Sequence, residues 1–82
     1  MKRDEIAQRV IDVTARELEL NKDQIKPEDH FAFDLGADSL KSIELVAAFE
    51  EEFDLDLNEE EALKVQTVGG AIDFFDNILS KD

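Results

Sequence analysis

The chain has 82 residues and a formal net charge of −13, from 22 Asp and Glu against nine Lys and Arg. That length fits one small domain, and an apolar share of 43% supports a single core close to the smallest size that holds without staples. Disulfides and thiolate metal sites are excluded by the absence of cysteine, and charge-driven binding to nucleic acid or anionic membranes by the acidity; basic partners are expected instead.

No apolar run approaches the ~20 residues of a membrane span. The start, Met1-Lys2-Arg3-Asp4-Glu5, lacks the apolar stretch of a signal peptide. A soluble, cytoplasmic, monomeric protein is expected, with no membrane insertion. Ile6, Val10, Val13 and Glu17 with Leu18 follow steps of three and four, with Ile11 beside the stripe, and predict an amphipathic helix from about Lys2 to Leu20. Asn21 to Asp38 has no sustained period and holds the sole proline, Pro27. A loop of about eighteen residues is long for so small a domain and is more often functional than idle. Ile25 and Phe31 are its expected pins onto the core.

Asp38 or Ser39 caps the next predicted helix, whose inward face is Ser42, Leu45, Val46, Phe49 and Phe53. Asp54-Leu55-Asp56-Leu57-Asn58 interrupts it, and Glu59 to Lys64 reads as a short helix with its acids at the N-terminal end, where the macrodipole favours them. Thr67 caps a last helix carrying Val68, Ala71, Ile72, Phe75, Ile78 and Leu79. Gly69-Gly70 costs this helix propensity, so close packing or fraying is expected there. No strand alternation persists. The fold class is all-α: a small four-helix bundle with three longer helices, one short helix and a long first loop, spanning 1–82 as a single domain.

Catalytic material is scarce. There is one histidine, His30, read as a surface loop residue, and three serines, Ser39, Ser42 and Ser80, none within a catalytic motif. Asp54-Leu55-Asp56-Leu57-Asn58 imitates the start of a calcium loop, but Glu59 stands where the sharp turn needs glycine and Val65 where a bidentate Glu is needed. It reads as a solvated acidic turn, and no metal site is expected. The informative segment is Asp34-Leu35-Gly36-Ala37-Asp38-Ser39-Leu40, in which a glycine turn delivers a serine to a helix start. A phosphate ester there would meet backbone N–H groups and the positive end of the dipole. On spacing alone, Asp38 and Ser39 as plain caps is the simpler reading.

Asp34 to Leu40, followed by Glu44-Leu45-Val46 and Glu50-Glu51-Glu52-Phe53, resembles the acyl carrier protein family. Phe31, Glu59-Glu60-Glu61-Ala62, Thr67-Val68 and Ala71-Ile72-Asp73 extend the resemblance, in the right order, over most of the chain. It implies that Ser39, between Asp38 and Leu40, carries phosphopantetheine transferred from coenzyme A by a magnesium-dependent holo-acyl-carrier-protein synthase. The arm's thiol would hold acyl groups as thioesters and shuttle them between enzymes of fatty acid, lipid or polyketide synthesis, the protein itself catalysing nothing. Leu45, Phe49, Leu57, Ala62 and Val65 would line a yielding acyl pocket. Glu44, Glu50, Glu51, Glu59 and Glu60, with Leu40, Ile43 and Ala47, would dock the synthase, acyl transferases and ketosynthases through basic patches. Three departures point to a specialised member: Lys41 after the triplet and Phe33 in the loop, both where an acid is usual, and Ala47 in place of a larger apolar residue. The alternatives are an aminoacyl or peptidyl carrier, disfavoured by the acidity, and an acidic helical adaptor that uses Ser39 only as a cap.

Overall fold

Spacing of three to four residues puts Ile6, Val10 and Val13 on one stripe of the first helix, and all three are fully buried in the computed structural model, which describes residues 1–79. This helix, α1, runs Arg3–Leu18. Thr14 is also fully buried, and its hydroxyl donates to the Val10 carbonyl at 2.7 Å, which satisfies the one polar side chain in that stripe. The helix stops two residues before the sequence-based boundary because Glu19 turns left-handed (φ 57°) and the Leu20 N–H returns to the Ala15 carbonyl at 2.9 Å. The second helix, α2 (Ser39–Phe53), ends by the same device: Asp54 has φ 53° and the Leu55 N–H reaches the Glu50 carbonyl at 2.9 Å. In both cases the leucine after the left-handed residue packs back against the core, offsetting the cost of a side chain at positive φ.

The short helix α3 covers Glu59–Leu63 and α4 covers Val68–Leu79. The segment that imitates a calcium loop is therefore two helix caps back to back. Asp54 closes α2, and Asn58 opens α3 by accepting the Glu61 N–H at 3.0 Å. Thr67 caps α4 through its hydroxyl, which accepts the Gly70 N–H at 3.0 Å.

α1 lies against both α2 and α4, and α3 packs on α2. Phe75 of α4 sits between Phe49 and Phe53 of α2, at ring separations of 5.2 and 4.6 Å. Arg3 ties the first helix to the last through Asp73 and Asp76. The first loop contains one 3-10 turn, Lys22–Gln24, and buries Ile25, Phe31 and Ala37. It is stitched to the start of α4: the Phe31 N–H donates to the Gln66 carbonyl, and the Val68 and Gly69 N–H groups donate to the Asp29 and Pro27 carbonyls, all within 3.0 Å. Gly69 is needed for that approach, since a Cβ there would stand 3.0 Å from the Pro27 carbonyl oxygen. Of the two expectations for Gly69-Gly70, close packing is the one realised.

Candidate functional site

The turn before α2 is built by its own backbone. The Asp34 and Leu35 N–H groups donate to the His30 carbonyl, the Gly36 N–H to the Ala32 carbonyl and the Ala37 N–H to the Phe31 carbonyl at 2.8 Å. Gly36 has φ +78°, and a Cβ added there would meet nothing within 4 Å, so glycine is needed for conformation and not for space. Ala37 is then buried as an anchor, and the chain emerges at Asp38.

Asp38 is the cap of α2. Its carboxylate accepts the Lys41 N–H and its carbonyl the Ser42 N–H, both at 2.8 Å. Ser39 is thus the first helical residue, exposed, with the capping role taken by its neighbour. The N–H groups of Ser39 and Leu40 precede any helix carbonyl and point outward with the positive end of the dipole. A phosphodiester on the Ser39 oxygen fits this mouth. The anion seat is smaller than the sequence implies, because the Asp38 carboxylate occupies the Lys41 N–H and places a negative charge beside it.

Leu40 and Ile43 are exposed along the first turns of α2, with Glu44, Ala47 and Glu51 exposed beyond them. Lys41 reaches Glu44 at 3.5 Å and neutralises part of this acidic face. Glu59 and Glu60 are exposed at the start of α3. Glu50 differs from the other acids: it is half-buried, and its carboxylate accepts the Leu57 N–H at 2.8 Å, holding the α2–α3 connection.

Leu45, Phe49, Leu57, Ala62 and Val65 all border one cavity of about 60 Å³ between α2, α3 and α4. Sequence reasoning missed several of its other walls, notably Phe31, Leu63 and Phe74. Ser42 also lines it, one helical turn beyond Ser39 on the same side of α2, so the cavity lies along the path from the candidate attachment serine. At this size it takes a few water-sized groups, and a longer chain requires its walls to part.

The part that Asp34 and His30 play in holding the turn escaped the sequence reading. The Asp34 carboxylate accepts the His30 N–H at 2.7 Å, locking the turn from inside. His30 is half-buried, not a free surface histidine: its Nδ1 accepts the Ala32 and Phe33 N–H groups at 3.2 and 3.3 Å, and its ring stacks on Phe33 with centroids 4.4 Å apart. Their spacing, four residues apart around the apolar triplet Phe31-Ala32-Phe33, is the signal that could have drawn attention to them. Ser80 lies outside the described residues.

The family model described as the phosphopantetheine attachment site matches residues 8–75. The chain is also 47% identical to the acyl carrier protein of Chlorobium phaeobacteroides over 70 residues, covering 85% of this chain and 90% of that protein. The acyl carrier proteins of Chlorobium phaeovibrioides and Chlorobium luteolum are each 49% identical over the same extent of both chains.

Proposed function

The chain belongs to the acyl carrier protein family, and on that premise we propose that Ser39 is the residue that takes the phosphopantetheine arm. The carrier role is the family's: acyl groups are held on covalently attached phosphopantetheine, whose thiol supplies the reactive sulfur that this cysteine-free chain lacks. The observation that carries the choice of serine is the division of labour at the mouth of α2. Asp38 does the capping, so the Ser39 hydroxyl stays at the surface as a phosphate acceptor beside outward N–H groups.

The test is intact mass after incubation with coenzyme A and a holo-acyl-carrier-protein synthase. The wild type gains one phosphopantetheine, whereas Ser39→Ala stays folded and gains nothing. A gain that persists in the variant moves the site elsewhere.

The remaining parts of the reading follow from that site. The synthase, acyl transferases and ketosynthases meet the exposed face of Leu40, Ile43, Glu44, Ala47 and Glu51, with Glu59 and Glu60 beside it. Long-range attraction speeds encounter and the modest patch permits quick release. Glu50 contributes less than its neighbours, because its carboxylate is already engaged by Leu57. Leu45, Phe49, Leu57, Ala62 and Val65 part to shelter the acyl chain. The pathway is fatty acid, lipid or polyketide synthesis, in the cytoplasm, with the whole chain acting as one carrier domain.

A further inference from the structure

The most exposed large apolar side chain among the described residues is Phe33, at 86%, and it is held in place instead of hanging free. Its backbone N–H donates to His30 Nδ1, and its ring stacks on the His30 imidazole. His30 is fixed in turn by its pairing with Thr67, by the bond from its N–H to Asp34, and by the 3.4 Å approach of Nε2 to the Gln66 side-chain oxygen. Because Nδ1 accepts from two backbone N–H groups, the neutral ring carries its proton on Nε2 and donates there. An aromatic ring displayed in one orientation has already lost the freedom that binding would otherwise cost.

We propose that Phe33, positioned by His30, is a partner-recognition anchor that fills an apolar recess with a basic rim in the docking face of the enzyme that modifies Ser39. This rests on the assignment of Ser39 above. Three observations select that occupant. The hydrogen bonds closing the turn tie the N–H groups of 34–37 to the carbonyls of 30–32, immediately before Ser39, so an enzyme reaching the Ser39 oxygen meets this turn. Leu40 (65% exposed) and Ile43 are further exposed apolar side chains, on the first turns of α2 beside Ser39. Asp34, Asp38 and Glu44 are exposed acids in the same stretch of chain, so the complement is a recess that is apolar at its centre and cationic at its edge. Lys41, paired with Glu44, leaves the acidic face weaker than its count of acids implies and gives an apolar anchor more of the recognition to do.

The experiment measures kcat and KM for transfer from coenzyme A by the holo-synthase of the same organism. Phe33→Ala is expected to raise KM for the carrier about tenfold with kcat within about twofold, and Phe33→Leu to keep most of the wild-type affinity. The Ala-to-wild-type ratio should not change with salt, since an apolar contact is not screened. His30→Ala should reproduce the loss, and the double variant should add less than about twofold, because one residue acts through the other. A wild-type KM in Phe33→Ala, with melting temperature unchanged, overturns the anchor. Losses that multiply in the double variant remove His30 as its positioning residue. If the wild type gains no phosphopantetheine mass, the assignment of Ser39 and the anchor fall together; if it does gain it and Phe33→Ala is modified normally, only the anchor falls.

Discussion

α1 and α3 stand at opposite extremes of packing in this molecule. α1 supplies Ile6, Val10, Val13 and Thr14, four of the five largest fully buried side chains among the described residues, the fifth being Val68 at the start of α4. α3 buries none of its five residues. It is held by the Asn58 cap, by the Glu50 carboxylate on the Leu57 N–H just before it, and by partial cover of Ala62 against the cavity. Stability is thus concentrated where α1 meets α2 and α4, and the α3 side of the cavity is held by fewer buried side chains. On the proposed reading, in which an acyl chain enters and leaves this cavity, the carrier needs such a separation.

Removing a side chain from the packed end should have the largest effect. Ile6→Ala is expected to cost about 2–5 kcal/mol in denaturant unfolding, whereas Leu63→Ala, on the exposed cavity wall, should cost under about 1 kcal/mol. Similar losses for both would mean that α3 and the core unfold as one cooperative unit, and the contrast would disappear. Gly69→Ala tests the seam between loop and α4. With its Cβ 3.0 Å from the Pro27 carbonyl oxygen, it should cost about 1–3 kcal/mol despite the gain in helix propensity. A stabilised variant would show that the loop can retreat freely.

Asn58→Ala sharpens the comparison at α3 itself. Loss of the cap should cost about 1 kcal/mol, read as faster amide exchange in 59–63 with no change in the slowest amides of α1. The smallest effect is expected for Lys22→Met, which removes an exposed ion pair to Asp12 at 2.9 Å. The hydrogen bond from Lys22 to Asp12, reinforced by their charge attraction, raises the lysine above its ordinary range. A raised folded value means that the contribution is present below the ordinary lysine range and is lost as pH rises through the folded value. Thermal melts of wild type and variant should therefore differ slightly at neutral pH and coincide in strong alkali.

Much of this fold was legible because its information is local. The steps of three and four that join Ile6 to Val13, Leu45 to Phe53 and Val68 to Phe75 fix which stripe of each helix meets the core, whatever the partner. The segment holding the candidate site was legible for the same reason: glycine at a left-handed position, a capping acid and a serine are contiguous in Gly36 to Ser39, and short-range geometry relates them. The end of α1 was less so, since Glu19 adopts positive φ without being glycine while Leu20 packs back on the core; α2 does end at Phe53, where Asp54 was expected to interrupt it.

By itself the sequence determined the all-α class, the order of four helices, the inward stripes and the serine at the head of α2, because backbone propensity, capping and helical period act within a few residues. Only the tertiary structure decided that Gly69 must admit the Pro27 carbonyl, that Glu50 turns to Leu57, that Leu63 joins the cavity and that His30 holds Phe33 in solvent while pairing across to Thr67. Those contacts depend on which distant segments the folded core brings together, and the aperiodic loop that makes most of them carries no repeat from which its neighbours could be read.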